Sequence, residues 1–173
     1  MNDVVVQELR DDGTVPNNDR CPLLVYPQAV TGIESRPDPA AAFEELFASN
    51  GWLGSWRNGV FPYHHYHSTA HEVLGCYSGS ATVRLGGEDG VTQELRAGDA
   101  VLIPAGVAHK RLSGTSDFGV VGAYANGRSP DMNYAKPGER EAAVARIRDV
   151  PLPDRDPVHG ADGPVSRHWR PVE

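Results

Sequence analysis

Between Gly59 and Tyr124 short runs of β-branched and aromatic residues alternate with glycine-bearing turns. That period predicts strands over 60–67, 72–77, 81–85, 92–95, 100–104, 108–112 and 118–124. The separators at 86–90 and 97–99 predict hairpin-type turns. Ahead of them, 4–9 reads as a β-branched edge strand, followed by the turn-rich D-D-G-T-V-P-N-N-D, and 23–26 reads as another strand. Asp38-Pro39 predicts a helix start, with the aspartate as N-cap and the proline in the first turn. Phe43, Leu46 and Phe47 then share one face, to lie as a lid on the sheet, and Asn50-Gly51 closes the helix. After Lys136-Pro137-Gly138 a second short helix is predicted over 139–148, with Ala143, Val144 and Ile147 on one side. The proline- and glycine-rich stretch beyond Val150 predicts an irregular arm, which Trp169 anchors on its own barrel or on a partner subunit. Many short strands with glycine turns argue for a β sandwich or barrel, and periodicity goes no further.

The chemistry concentrates in G-V-F-P-Y-H-H-Y-H-S-T-A-H-E-V-L-G-C-Y-S-G, residues 59–79. On an extended strand His65 and His67 point the same way, close enough to share one cation, while His64 and His71 face away from that pocket. The spacing from His67 to Glu72 is odd, so the carboxylate joins them only if a bulge or corner near Ser68-Thr69 swings it back. A second stretch, 98–113, reads G-D-A-V-L-I-P-A-G-V-A-H-K-R-L-S and supplies His109 behind a Pro104-Ala105-Gly106 turn.

Together these stretches resemble the paired motifs of the cupin superfamily. Gly59, His65, His67, Glu72 and Gly79 meet every spacing of G-x5-H-x-H-x4-E-x6-G. Gly98, Pro104, Gly106 and His109 meet G-x5-P-x-G-x2-H-x3-N, with Ser113 where asparagine is usual. The phrases F-A-S-N-G-W, A-G-V-A-H-K, V-V-G-A-Y and K-P-G-E-R are similar to those of small bacterial single-domain cupins without a settled reaction. The resemblance implies an all-β double-stranded β-helix, the cupin jelly-roll barrel, with a short N-terminal helix and a C-terminal helix plus irregular arm. It implies one domain over 1–173, with the barrel core at about 52–126, an N-terminal extension at 1–51 and the C-terminal helix and arm at 137–173. It also implies a metal set of His65, His67, Glu72 and His109.

Composition narrows the function. A chain of 173 residues with 39% hydrophobic content suits one well-buried domain. Sixteen basic against twenty-three acidic residues, net −7, with no basic run, exclude a nucleic-acid partner. No signal-like start and no membrane-length apolar run are present, so a cytoplasmic protein without a membrane partner is expected. Cys21 and Cys76 form no CxxC and are expected as buried free thiols.

Three imidazoles and one carboxylate suit one divalent transition metal, iron first, with manganese, nickel, copper, cobalt or zinc as alternatives. Four protein ligands on an octahedral ion leave open positions for a small-molecule substrate. By strand parity Tyr63, Leu74, Cys76 and Arg111 line the same cavity, and Tyr63, Cys76, Arg111 and Tyr124 are the candidate substrate-binding residues. Arg111 either holds a substrate carboxylate bidentately or faces solvent. The expected function is a mononuclear non-haem oxygenase acting on a small anionic or enol-type metabolite. A non-redox isomerase, cyclase or lyase, or a binding and sensing module without turnover, stands as the alternative. A homodimer is expected from the open sheet edge.

Overall fold

The computed structural model describes residues 3–173. Among the described residues nine strands form two antiparallel sheets: β1 (Val5–Leu9), β2 (Asn18–Tyr26), β3 (Trp52–Asn58), β4 (Glu72–Ser78), β5 (Ser80–Leu85), β6 (Val91–Arg96), β7 (Ala100–Ile103), β8 (His109–Gly114) and β9 (Gly119–Ala125). The larger sheet has the order β1-β2-β7-β4-β9-β3 and the smaller β6-β5-β8, the two-sheet arrangement of a cupin jelly roll.

Alternation on the central strands sorts side chains into two apolar layers. Leu23, Val25, Leu74, Cys76 and Val101 point between the sheets and pack with Val83, Leu85 and Leu95 of the smaller one. Leu24, Tyr26, Val73, Leu102 and Val121 point the other way, under the helix and the arm. The centre of the larger sheet is therefore covered on both faces, and β7 and β9 are buried along their whole length.

Helix α1 (Pro39–Ser49) begins as expected, with the Asp38 carboxylate accepting the Ala41 N–H at 3.2 Å. Phe43 and Phe47 are fully buried against the outer layer. A Cβ on Gly75 would sit 2.4 Å from Phe43 Cδ1, so the bare glycine in β4 lets the helix dock this closely. Helix α2 (Glu139–Asp149) buries Ala143 and Ile147 against Val15, Tyr66 and Ala108. The arm contains a short helix, α3 (Pro164–His168), that the sequence pattern did not suggest. Trp169 anchors the arm on its own barrel, donating its indole N–H to the Pro22 carbonyl at 2.9 Å. No helix among the described residues is long and apolar enough to cross a membrane.

Two expectations require correction. Residues 60–67 are not a strand: Pro62 lacks an N–H, and the segment touches β8 only through isolated contacts, His65 exchanging backbone hydrogen bonds with His109 and Phe61 accepting from Arg111. The strand that edges the larger sheet is instead β3, which is largely solvent-facing and interrupted by Gly54, so it carries little hydrophobic pattern. The turn at 97–99 is not a hairpin, because it carries the chain from β6 in one sheet to β7 in the other. Asp99 fixes that crossing by accepting the Arg96 N–H at 3.0 Å and the Gln28 N–H at 2.9 Å.

Candidate metal centre

The expected corner lies at Ser68-Thr69, where the backbone bends between His67 and the start of β4. Glu72 consequently faces the barrel interior, and His71 faces the opposite way. His67, Glu72 and His109, all buried, bring one ligand atom each to within 4.8 Å of one another. Glu72 Oε1 is 3.2 Å from His109 Nε2, and Oε2 is 3.4 Å from His67 Nε2. His65 lies in the same cavity but outside that tight group, its ring centroid 4.0 Å from that of His109 and 6.1 Å from that of His67.

Each of the three rings is oriented by a backbone carbonyl. Nδ1 of His65 is 3.0 Å from the Tyr63 oxygen, Nδ1 of His67 is 2.6 Å from the Asp131 oxygen, and Nδ1 of His109 is 3.3 Å from the Val107 oxygen. A carbonyl can only accept, so each Nδ1 carries a proton, and in the neutral ring each Nε2 keeps its lone pair. Lone pairs at Nε2 facing a carboxylate repel one another unless a positive charge stands between them. Burial pushes the Glu72 carboxyl up, but His67 and His109 outweigh it and hold the group low, while Glu72 in turn raises His67 against the opposing effect of burial. His65 is pushed down to about 3, chiefly by burial and then by His109, so it is neutral and able to donate a lone pair. The donor set, imidazole nitrogens with one carboxylate, fits a divalent transition ion.

The cavity above these residues has a volume of about 570 Å³. Trp56, Val60, Phe61, Leu74, Phe118 and Met132 supply apolar walls, and among the described residues Arg111 is its one cationic side chain apart from the histidines. The Trp56 ring packs against Gly122, where a Cβ would meet it at 2.2 Å, and donates its indole N–H to the Tyr124 hydroxyl at 2.8 Å. Burial, then the neighbouring Glu72 carboxylate, holds the Tyr124 phenol well above its ordinary value.

Of the residues expected to line the cavity, Leu74, Arg111 and Tyr124 do so. Tyr63 and Cys76 do not. Without a regular strand at 60–67 parity no longer governs Tyr63, which is 43% exposed, stacks on Phe61 at 5.0 Å and lies on a separate surface groove with His64. Cys76 points between the sheets but deep in the packed layer, so its thiol is core rather than wall. His64 and His71 both face away, His64 toward Glu88 at 2.5 Å and His71 into the outer layer. Cys21 and Cys76 are free and buried. Asp131, Asn133 and Arg146, which grip the corner, had no sequence signal, because only the fold brings them near residue 68.

A family model described as a cupin domain matches residues 57–117, a span that contains both histidine motifs. YjlB of Bacillus subtilis strain 168, an uncharacterized protein, is 45% identical over 161 residues, covering 92% of each chain. Among solved structures, procruciferin, the 11S globulin of Brassica napus, is similar over 66% of this chain and 23% of its own, at 16% identity and a TM-score of 0.38. A vicilin from Solanum melongena is similar over 46% of this chain and 24% of its own, at 22% identity and a TM-score of 0.37. The chain thus spans about a quarter of the length of those two plant proteins. With a relative 45% identical along nearly its whole length and the cupin-domain match laid over both motifs, the chain belongs to the cupin superfamily.

Proposed function

We propose that this cupin holds one divalent transition metal, iron first, through His67, Glu72 and His109 with His65 as fourth ligand, and acts as a non-haem metal-dependent oxygenase on a small anionic or enol-type metabolite. The observation that carries the metal is the orientation of the rings: three Nδ1 protons are tied to carbonyls, and Nε2 atoms converge on a buried carboxylate. Bound there, a redox-active ion would supply Lewis acidity and one-electron chemistry with dioxygen.

The chain's own residues account for binding and orientation. Arg111 stands two residues beyond His109 on β8, about 7 Å along the strand, and lines the cavity with no hydrogen bond or ion pair to its guanidinium among the described residues. A free guanidinium on an apolar wall is suited to a carboxylate. Tyr124, kept protonated, can donate toward a substrate oxygen beside Glu72. The walls from Trp56 to Phe118 exclude water from an apolar substrate body.

Oxygen uptake by iron-loaded protein across a panel of small carboxylates and enols tests the reaction. Uptake abolished by Glu72→Ala supports it. Ligand-induced shifts in Tm with no uptake under any redox-active metal would move the assignment to a non-redox lyase, isomerase or binding protein.

We further propose a cytoplasmic protein and a single domain, the latter since β1 and β2 join the larger sheet and Trp169 locks the arm to it. A single cooperative unfolding transition is the expected observation. We propose a homodimer as well, because β1 is an open edge with Val5 and Val6 both 37% exposed. Light scattering should give about twice 18.7 kDa, and a monomer mass at micromolar concentration would exclude it.

A further inference from the structure

The acceptors that orient His65 and His109 are local, each the carbonyl two residues back, whereas His67 takes its acceptor from Asp131, far along the chain. That carbonyl is held in place by its own side chain. Asp131 Oδ1 accepts the backbone N–H of Ser68 at 2.6 Å and of Thr69 at 3.2 Å, and Oδ2 accepts from the Ser68 hydroxyl and, at 3.0 Å, from Asn133 Nδ2. The Asp131 N–H returns a bond to Thr69 Oγ1 at 3.1 Å. From α2, Arg146 donates Nε–H to Ser68 Oγ at 2.7 Å and lies 3.6 Å from Asp131 Oδ2. The corner that turns Glu72 inward and the carbonyl that aims His67 are therefore one hydrogen-bonded unit. Its supporting residues, Asp131, Asn133 and Arg146, lie outside the matched cupin segment, which ends at residue 117.

We propose that Asp131, braced by Arg146 of α2, is the positioning residue of the metal centre: it fixes the Nδ1–H tautomer of His67 and the bend at Ser68-Thr69, and so sets metal affinity. This rests on the metal-binding function proposed above. Removing the Asp131 side chain frees its carbonyl to drift from His67 and leaves the Ser68 and Thr69 amides without their acceptor. Ordered outer partners of ligating histidines typically contribute about 10–100-fold to metal affinity.

Two measurements on the full-length chain test the inference. Long-range 1H–15N spectra of metal-free protein, taken at a pH high enough for the His67 ring to be neutral, should show it as the Nδ1–H tautomer, and Asp131→Ala should redistribute the proton between the two nitrogens. Competition with a chromophoric chelator should show Co2+ bound about 10–100-fold more weakly by Asp131→Ala, with a changed visible spectrum. Asp131→Asn, which keeps one side-chain oxygen for the Ser68 amide, should recover most of the affinity. Arg146→Gln, on the solvent side of α2, should lose about three-fold, and it carries the same comparison if Asp131→Ala does not fold. Variants with lowered Tm but native Co2+ affinity and a native His67 tautomer would reduce the cluster to a structural brace and overturn the proposal. If the unsubstituted chain binds no Co2+, the ligand assignment fails, and the His67 tautomer in the variants still decides whether Asp131 positions the ring.

Discussion

Two carboxylates are buried in this protein to the same degree, Asp156 at 1% and Glu72 at 2% exposure, and their surroundings could hardly differ more. Asp156, in the C-terminal arm, accepts from the Tyr26 hydroxyl at 2.6 Å and from the backbone N–H groups of Val158, His159 and Val165 at 2.8, 2.9 and 3.2 Å. Fixed protein donors fill its acceptor sites, so nothing further is required of the environment. Glu72 faces two imidazole Nε2 atoms whose rings already carry their protons on the far side. Its arrangement closes only when a cation or an added proton enters. A closed polar cluster staples a segment, whereas an open one, placed on a cavity, is a site.

The largest expected effect separates the two. Asp156→Ala should destabilise the fold by roughly 3–6 kcal/mol, since several buried donors lose their acceptor at about 1–3 kcal/mol each; urea unfolding measures this, and the metal content of the folded fraction should not change. Glu72→Gln should act chiefly on the metal, weakening its binding by more than about 100-fold while the metal-free chain still folds. An Asp156→Ala variant with native stability, or a Glu72→Gln variant that unfolds, would break the comparison.

The next effect sharpens the open site. Arg111→Ala should weaken binding of a small carboxylate ligand by about 1.5–3 kcal/mol, read by calorimetry, and leave the metal stoichiometry alone. Equal loss for neutral and anionic ligands would show that the guanidinium is not the recognition group. The smallest effect concerns the packed layers. Burial pushes the Cys21 thiol up to about 11 and Cys76 up to about 12. In the folded chain both remain thiols throughout the neutral range, and only above those values would thiolate form, so neither should react with a thiol reagent at pH 8 until urea is added.

The sequence conveyed its strongest features where chemistry is local. The Asp38-Pro39 cap, the buried phenylalanines of α1 and the alternating strands from Glu72 onward depend on neighbours within a few residues, and the structure has them where the pattern placed them. The odd spacing between His67 and Glu72 required a corner, and a corner is there. Legibility ended where the fold brings distant residues together. The support beneath that corner comes from Asp131 and Arg146, more than sixty residues on. The segment around Tyr63 has the composition of a strand, yet Pro62 and the sparse contacts with β8 leave it irregular, so parity misplaced Tyr63. β3 escaped notice because an edge strand facing solvent needs no hydrophobic alternation. The arm's proline and glycine content suggested irregular chain and concealed Asp156, whose donors come from β2, from the turn at Val158-His159 and from α3.

The most direct test of the central claim is elemental analysis of the purified chain beside the His67→Ala, His109→Ala double variant, each reconstituted with iron, cobalt or zinc and desalted. Close to one transition metal per native chain and almost none in the variant is the expected result. A native chain that retains no metal, or a folded double variant that retains a full equivalent, would contradict it.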